Sequence, residues 1–452
     1  MHLARKPGIN CCEGQVIIFT LIQYSTNRFV SKRGEIVILR LTGVKQGKVY
    51  NLSNLTGDIT AGLIVTFLLL PQSIAYATLA GVPLTMGLYA GTFPLLVYAI
   101  FGSSKYLSVG PVSVASLLVF TGISELDFSN TIPFVEMVVL LTLLIGIIQL
   151  LMGLFKFGTL LEYVSSSVLG GFTSALAVVI IIHQLDSFLG IEVQAQQNIL
   201  SYTFEIVHRI PQAHWLSTVI GGISFLFLLL MKKISNIAPG PFMLILIAIV
   251  IVDYFNLDRN EVEVVGSISQ EFQWVSFSLP TWEMIVSFIP LALLISFITF
   301  FESYSVAKRL ADKERESLYP NQELAGLGFA NISGAFLGTI PVAGAISRTA
   351  VNYESGAKTK LSMIITAGFM FISIFYIAPL FYYLPKTTLA AIIIYAVMNL
   401  IDFKQLKYYW RNNIHQAIVF LVTFFATLLF NIFFGLMIGI CMSIIIGFMD
   451  RI

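Results

Sequence analysis

One segment of the sequence places a cation where the surrounding hydrophobicity predicts membrane. Residues 340–356 read IPVAGAISRTAVNYESG, and Arg348 is the one Lys or Arg that falls outside the predicted loops and termini. An arginine near the centre of a bilayer costs at least about 2.5–3.5 kcal/mol on insertion, so it usually faces a cavity, a partner or a substrate. Pro341 and Gly344 precede it and Gly356 follows. Because this spacing is too short for a spanning helix, we expect a half-helix that begins near mid-membrane.

The N-terminus of such a half-helix suits an anion. Its unpaired N–H groups and positive dipole end would act together with the guanidinium. The candidate ligands are Ile346, Ser347 and Arg348, with the backbone N–H groups of residues 346–348. In the structural alternative, Arg348 reaches an interface or pairs with an acid such as Glu302. We favour the binding site, because burying an arginine without a function is costly.

Two further groups of residues are candidates for the same site. Pro111, Val112 and Ser113 begin a second short segment, where proline suits a first helical turn because it lacks the N–H that would be unpaired there; the alternative is a simple break in the chain. Polar side chains in the first apolar segment could add hydrogen bonds to the anion, with polar contact between helices as the alternative. They are Gln72, Ser73 and Tyr76.

Glu302 lies inside the eighth apolar segment, and an acid there is a candidate for proton or sodium coupling. Its alternative role is as a structural partner of Arg348. The five histidines and three cysteines show no metal-ligand spacing. No nucleophile elbow, phosphate loop or zinc motif is present either. We therefore predict no enzymatic activity, no metal and no cofactor.

The composition defines the setting in which these residues act. Of 452 residues, 57% are hydrophobic and only 11% are charged, and the mean hydropathy is +0.87. Soluble domains usually carry about 25% charged residues. The chain is therefore predicted to be an all-α polytopic membrane protein whose surroundings are the lipid bilayer. A net charge of +2 says little about partners, and we expect no nucleic acid among them.

Apolar segments follow one another from Asp58 onward, and we count fourteen. The third and the tenth are the short ones. The segments span residues 59–79, 84–101, 111–122, 134–155, 166–189, 215–231, 238–255, 284–307, 321–340, 345–354, 359–382, 387–401, 414–431 and 433–449.

The distribution of Lys and Arg supports this count. Residues 1–57 hold eight of them against two Glu, which predicts a cytoplasmic N-terminal region. The following loops on the same side hold fourteen, whereas the opposite loops hold only Arg209, Arg259 and Lys386. A missed segment would mix the two sets, so we predict that both termini are cytoplasmic, in a plasma (inner) membrane.

The positions of the short segments indicate an internal repeat. Each stands third in a set of seven, which points to two inverted repeats with half-helices at segments 3 and 10. The local sequence agrees, since GPVSVAS at 110–116 aligns with GAISRTA at 344–350, and QSIAYA at 72–77 aligns with ESYSVA at 302–307 at nearly the same offset.

Four blocks of the sequence carry a resemblance to a known family. They are GDITAGLIVTFLLLPQSIAYATLAGVPLTMGLYAG from Gly57, GSSKYLSVGPVSVAS from Gly102, FESYSVAKRLADK from Phe301 and ANISGAFLGTIPVAGAISRTAVNYESGAKTKLS from Ala330. In order and spacing they resemble the sulfate permease (SulP) family of anion transporters. The resemblance runs from about Gly57 to the end of the chain.

This resemblance implies a transmembrane transport domain over residues 58–452, divided in two. The core would comprise about residues 58–155 and 284–382, and the gate about 156–283 and 383–452. Substrate would lie between half-helices 3 and 10, and the core would move against the gate as an elevator. Glu302 stands at the position of the acid that is linked to proton coupling in sulfate symporters. A homodimer is expected.

The sequence departs from the family pattern in two places. Family members commonly end in a cytoplasmic STAS domain, whereas this sequence ends at Ile452, directly after its last apolar segment, so either the domain is lacking or the sequence is a fragment. Ala345 stands where the family often has a hydroxyl residue, which removes one donor to the anion.

These observations predict a secondary active transporter of a small inorganic oxyanion, with sulfate carried by proton symport as the leading hypothesis. Sodium–bicarbonate symport and anion exchange are alternatives with the same fold. A non-transporting membrane scaffold or sensor is the alternative from another class, and a costly Arg348 argues against it.

Overall fold

The computed structural model describes residues 52–124, 126, 132–161, 165–193, 199–234, 239–260, 262–266, 280–430 and 432–449. Most of the predicted N-terminal region, residues 1–51, lies outside this part of the chain, so its cytoplasmic placement stays a prediction.

The described residues form an all-α membrane protein with one very short sheet. Seven helices are long and apolar enough to cross a membrane, and five shorter ones are also apolar. The helices are α1 (Leu52–Leu79), α2 (Leu84–Ala90), α3 (Phe93–Phe101), α4 (Ser113–Ser124), α5 (Phe134–Leu154), α6 (Gly158–Leu161), α7 (Ser166–Leu189), α8 (Ile199–Arg209), α9 (Trp215–Ile234), α10 (Gly240–Phe255), α11 (Trp282–Glu314), α12 (Pro320–Phe336), α13 (Ile346–Glu354), α14 (Leu361–Tyr376), α15 (Lys386–Met398), α16 (Phe403–Asn412), α17 (Ile414–Leu429) and α18 (Ile432–Met449). Short 3-10 turns cover Ile210–Gln212, Leu257–Asn260 and Ala378–Tyr383.

Each of the fourteen predicted segments contains helix, but several ends differ from the prediction. The second segment breaks into α2 and α3, with Pro94 in the first turn of α3. The ninth ends at Phe336 because Gly338 adopts a positive φ of 66°, which ends a helix. The eighth runs on to Glu314, because its polar continuation still favours helix. The inverted relation of the two halves stays an interpretation.

Both short segments have the same local structure, a strand followed by a half-helix. Strand β1 (Val109–Pro111) leads into α4, and β2 (Val342–Gly344) leads into α13. The strands pair antiparallel, with Gly110 opposite Ala343. Since backbone groups inside a membrane need partners, this pairing allows two helices to begin within the protein. The half-helices therefore start beside each other, as the sequence predicted.

A buried amide on α12 holds the free edge of β2. The side chain of Asn331 accepts a hydrogen bond from Val342 N (2.8 Å) and donates to Val342 O (3.2 Å). It also donates to Gln149 Oε1 (2.9 Å), and Gln149 Nε2 donates to Thr299 Oγ1 (3.0 Å). Asn331 thus pairs with β2 as a neighbouring strand would, and it connects this strand to α5 and α11.

Buried carboxylates fix the connections at one end of the molecule. Glu323, which is fully buried, accepts hydrogen bonds from Tyr98 Oη, from the N–H and hydroxyl of Ser103, and from Ser104 N. Asp58 accepts hydrogen bonds from the segment that precedes α14, at Lys358 N and Thr359 N. These contacts hold the segment before β1 and the segment after α13.

Three helices were not among the predicted segments: the four-residue α6, and α8 and α16, neither of which is apolar enough to span a membrane. Helix α8 carries Glu205, His208 and Arg209. Helix α16 alternates aromatic residues with three cations, and none of its residues is buried. Both are amphipathic connections between apolar helices.

The hydrogen bonds that Asn331 makes with Val342 and Gln149 predict a specific loss of stability when this residue is replaced. Asn331→Leu keeps the volume but leaves Val342 N–H and the Gln149 amide without their partner. Each unpaired buried group costs about 1–3 kcal/mol, so the variant should lose about 2–5 kcal/mol. Thermal unfolding of purified protein in detergent, followed by tryptophan fluorescence, should show a lower melting temperature.

Ser333→Ala on the same helix is the matched control. It removes one hydroxyl that bonds only within α12, at Ala330 O, and should change stability by less than about 1 kcal/mol. Equal melting temperatures for the two variants would contradict the role given to Asn331.

Candidate functional site

Arg348 lies in the first turn of α13 and its side chain is fully buried. Its Nη1 donates to Gln72 Oε1 on α1 (2.8 Å) and to the carbonyl of Pro111 at the end of β1 (3.0 Å). Gln72 and Pro111 were both predicted site residues. The arginine therefore joins the first helix and both half-helix segments at one point.

The other edge of the same guanidinium has no partner. Neither Nε nor Nη2 of Arg348 makes a hydrogen bond within the described protein, although both atoms are buried. Nη2 lies against Gly110, where an added Cβ would be only 3.2 Å away. Two donors on one planar edge are the geometry that binds two oxygens of a single anion.

The N-terminus of α13 adds backbone donors beside this edge. Ala345 is the N-cap residue and provides no side-chain hydrogen bond. Ala345 N donates to Ser108 O and Gly344 N to Ser303 Oγ, whereas the N–H groups of residues 346–348 have no acceptor among the described residues. Ile346 (39% exposed) and Ser347 are exposed, so this first turn is open to ligand.

The opposite half-helix begins with buried residues. Val112 is 5% and Ser113 is 7% exposed, and α4 starts at Ser113. Tyr76 on α1 lies near Ser113 and is close enough to Arg348 and Glu302 to be influenced by both charges. The hydroxyls of Tyr76 and Ser113 are thus neutral polar groups in the neighbourhood of the guanidinium.

One predicted residue is placed differently. Ser73 lies on α1 next to Gln72 in sequence, but its Oγ is 2.8 Å from the position that a Cβ at Gly91 would take. It is fully buried there and its Oγ makes no hydrogen bond. Ser73 therefore packs against the break between α2 and α3, which fits the alternative of polar contact between helices.

Glu302 lies near the site but does not pair with the free edge of the guanidinium. Its Oε2 is buried and has no hydrogen-bond partner, and within the described residues no ion pair joins it to Arg348. The neighbouring Ser303 supports β2 through Gly344. Glu302 is therefore a carboxylate held in the field of the arginine, not a direct salt-bridge partner.

Sequence reasoning missed the residues that position the site. Ser303, Thr349 and Asn331 each bond the backbone of a strand or of its flank, with Thr349 Oγ1 accepting from Ser108 N (3.1 Å). Each is a polar residue inside an apolar segment, and that signal was available. Gly110 was considered only as the first residue of the repeat GPVSVAS, although its missing Cβ leaves room for the guanidinium.

The arrangement can hold an anion, because its free groups are hydrogen-bond donors around one buried cation. Within the described residues, no group of His, Cys, Asp and Glu is placed to bind a metal ion.

Comparison with known proteins identifies the family. The model of the sulfate permease family matches residues 55–423. The chain is 36% identical over 382 residues to the chloroplastic sulfate transporter 4.1 of Arabidopsis thaliana, covering 82% of this chain and 55% of that protein. It is 30% identical over 379 residues to a probable sulfate transporter of Mycobacterium tuberculosis, covering 83% of this chain and 68% of that protein. The chain thus spans about half the length of the plant relative.

Solved structures share the fold. The overall structure of SLC26A9 superposes with a TM-score of 0.84 at 22% identity, covering 99% of this chain and 73% of that one. The transmembrane domain of the cyanobacterial bicarbonate transporter BicA gives a TM-score of 0.75 at 20% identity, covering 87% of this chain and 98% of that one. The chain is an integral membrane protein and belongs to the sulfate permease family.

Proposed function

We propose that the protein is a secondary active transporter of a small inorganic oxyanion, and that its substrate is sulfate. The observation that carries this proposal is the buried Arg348, which has two unpaired donors at the N-terminus of α13. The printed names of the plant and mycobacterial relatives, both sulfate transporters, point to the same substrate.

The donor geometry favours an oxyanion over a halide. The Nε and Nη2 atoms of Arg348 form a planar fork that matches two oxygens of one anion. The N–H groups of residues 346–348 and the Ser347 hydroxyl would bind the remaining oxygens. A halide is a single acceptor and cannot occupy both arms of the fork in line.

Glu302 is the proposed site of proton coupling. A carboxylate close to Arg348 opposes the binding of a dianion, and protonation removes this repulsion. Sulfate and a proton would therefore bind together, and the loaded site would carry less net charge through the membrane. Sodium–bicarbonate symport remains the competing function, and the assay below separates the two.

We propose elevator movement of a core (about 58–155 and 284–382) against a gate (about 156–283 and 383–452). Most long-range side-chain hydrogen bonds run within the core, as between Gln149 and Asn331, or within the gate, as between Ser224 and Thr388. One crosses the boundary where the chain passes from core to gate, from Gly158 N to Asn321 Oδ1 (2.9 Å). Phe67 and Phe242 meet across the boundary through an aromatic contact, with ring centroids 4.7 Å apart. Apolar contacts can slide more easily than directional hydrogen bonds.

The remaining parts of the proposal concern assembly and location. We place both termini in the cytoplasm, because the basic loops all fall on that side. We place the protein in the plasma (inner) membrane as a homodimer.

Replacing the arginine tests the proposal directly. Proteoliposomes with purified protein should take up radiolabelled sulfate, faster at an outside pH of about 5.5 than at about 7.5. Arg348→Ala removes two charge-assisted hydrogen bonds and should lower uptake at least about a hundredfold. Arg348→Lys keeps the charge without the fork and should raise the apparent KM about tenfold or more.

Unlabelled competitors identify the anion. Sulfate should compete, and chloride, bicarbonate and dicarboxylates should not. If bicarbonate competes and transport depends on sodium, the substrate is bicarbonate and the assignment of sulfate is wrong. If Arg348→Ala transports at the wild-type rate, or if no anion moves, the site assignment fails.

A methyl group beside the guanidinium should weaken binding without removing a donor. Gly110→Ala would place its Cβ 3.2 Å from Arg348 Nη2 and 3.0 Å from Leu69 Cδ1. We expect a several-fold rise in the KM for sulfate with kcat less affected. Gly368→Ala is the matched control, because an added Cβ there meets no atom within 4 Å. Similar kinetics for the two variants would contradict the placement of the anion beside Gly110.

Neutralising Glu302 should separate coupling from binding. Glu302→Gln cannot exchange a proton, so sulfate counterflow should continue while accumulation driven by the pH gradient is lost. Glu283→Gln, at the exposed start of the same helix, is the control and should keep the pH dependence. If uptake by Glu302→Gln still follows the pH gradient, the proton is carried elsewhere.

A further inference from the structure

Helix α16 carries a row of three cations that no residue in the described part of the chain neutralises. Lys404, Lys407 and Arg411 are spaced i, i+3 and i+7, so they lie on one face over about 10 Å. All three are exposed, and none forms an ion pair with any described residue. Asp402 caps the helix through Gln405 N instead of pairing with a cation. This row is called the basic face below.

Large apolar side chains flank the basic face. Phe403 is 73% exposed and Trp410 is 60% exposed, and they lie seven residues apart along one side of the helix. Tyr408, beyond the cations, is 63% exposed. An amphipathic helix with Lys and Arg on one face and Trp and Phe beside them is typical of a helix lying in a membrane interface.

The opposite side of α16 attaches it to the protein. Gln405 Nε2 donates to Ser166 O (3.5 Å) and to Tyr409 Oη (3.1 Å), and Asp402 N donates to Ser174 Oγ (3.2 Å). These contacts turn the basic face and its aromatic flank away from α7. Along the chain, α16 directly connects two apolar helices, α15 and α17. We therefore expect it at the level where these helices leave the membrane.

More positive charge lies at the end of α15. Lys232, near the end of α9, donates to Asn399 Oδ1 (2.9 Å), and Lys233 follows it in sequence. This contact brings the basic end of α9 to the start of the connection that leads into α16. The local surface therefore has a positive field that extends past the helix itself.

The charge of each candidate partner indicates which of them could bind this surface. Residues 1–51 carry eight Lys or Arg and two Glu, so the N-terminal region would repel the basic face. A second copy of α16 would repel it in the same way. An anionic phospholipid has a phosphate for the cations and acyl chains for the aromatic side chains.

We propose that α16 binds the headgroup of an anionic phospholipid in the adjoining leaflet. Lys404, Lys407 and Arg411 contact its phosphate and the neighbouring anionic headgroups, while Phe403 and Trp410 enter the upper acyl region. The bound lipid holds the α15–α17 connection at the membrane surface. This binding site is separate from the anion site at Arg348 and does not depend on the substrate.

Quenching of Trp410 by brominated lipid tests the proposal. Trp215→Phe, Trp274→Phe and Trp282→Phe leave Trp410 as the single tryptophan of the full chain. The protein is reconstituted with phosphatidylglycerol or phosphatidylcholine that carries bromine on the upper acyl chain. Each cation near an anionic surface favours anionic lipid by about fivefold, so phosphatidylglycerol should be preferred at least about tenfold.

The variant Lys404→Gln, Lys407→Gln, Arg411→Gln in this background should bring the two lipids close to parity, while both still quench. The control Lys308→Gln, Arg309→Gln, Lys313→Gln removes the same charge at the exposed end of α11 and should keep the preference. Equal quenching before mutation, or equal loss in the control, would overturn the site. Absence of quenching by either lipid would also overturn it, because protein would then cover Trp410.

Discussion

The structure depends on keeping one guanidinium charged inside a membrane protein. Arg348 is fully buried, and the protein provides it with two acceptors, Gln72 Oε1 and the carbonyl of Pro111. Each acceptor compensates part of the desolvation penalty, but only on the Nη1 side. The arginine thus remains held in position while its other edge stays free to bind. A carboxylate paired with both arms would be more stable and would compete with any anion.

Holding the arginine there requires an interruption of the helix, which leaves backbone groups that must find hydrogen-bond partners inside the membrane. The two strands satisfy each other along one edge, and Asn331 pairs with the second edge of β2. Ser303 and Thr349 bond the groups that flank the strands, at Gly344 N and Ser108 N. The supporting side chains are all neutral and short. They leave Arg348 as the dominant charge at the start of α13, with Glu302 as the nearby acidic residue.

Much of this could be predicted from sequence, for identifiable reasons. Hydropathy located the spanning helices because membrane helices need long apolar runs, and Pro341, Gly344 and Arg348 marked the break. Side-chain direction could not be predicted, and for that reason Ser73 was assigned to the site although it packs against Gly91. A helix places neighbouring side chains more than a quarter-turn apart, and on α1 this directs Gln72 to Arg348 and Ser73 to Gly91.

Long-range partners were also beyond the sequence. Lys360 stands at the start of the predicted segment 359–382, where a lysine is expected to reach solvent, yet it is only 7% exposed and donates to the carbonyl of Gly102. Glu323 is fully buried for the same kind of reason, with hydroxyl and backbone donors from a segment more than 200 residues away in sequence. A charged residue is expected at the surface unless another part of the chain provides it with a hydrogen-bond partner. Such partners are brought together by the tertiary structure and cannot be read from the sequence.

The distribution of polar contacts relates the site to the proposed movement. Both half-helices, Asn331 with its hydrogen bonds and the Glu323 cluster lie in the proposed core, so the groups that would shape the anion site are bonded to one another and would move together. Helix α16 belongs to the proposed gate, where Gln405 and Asp402 attach it to α7. An elevator needs one part that keeps its geometry while it moves and another that stays at a fixed depth. Hydrogen bonds within the proposed core would provide the first, and the cations and aromatic side chains of α16 would provide the second at the membrane surface.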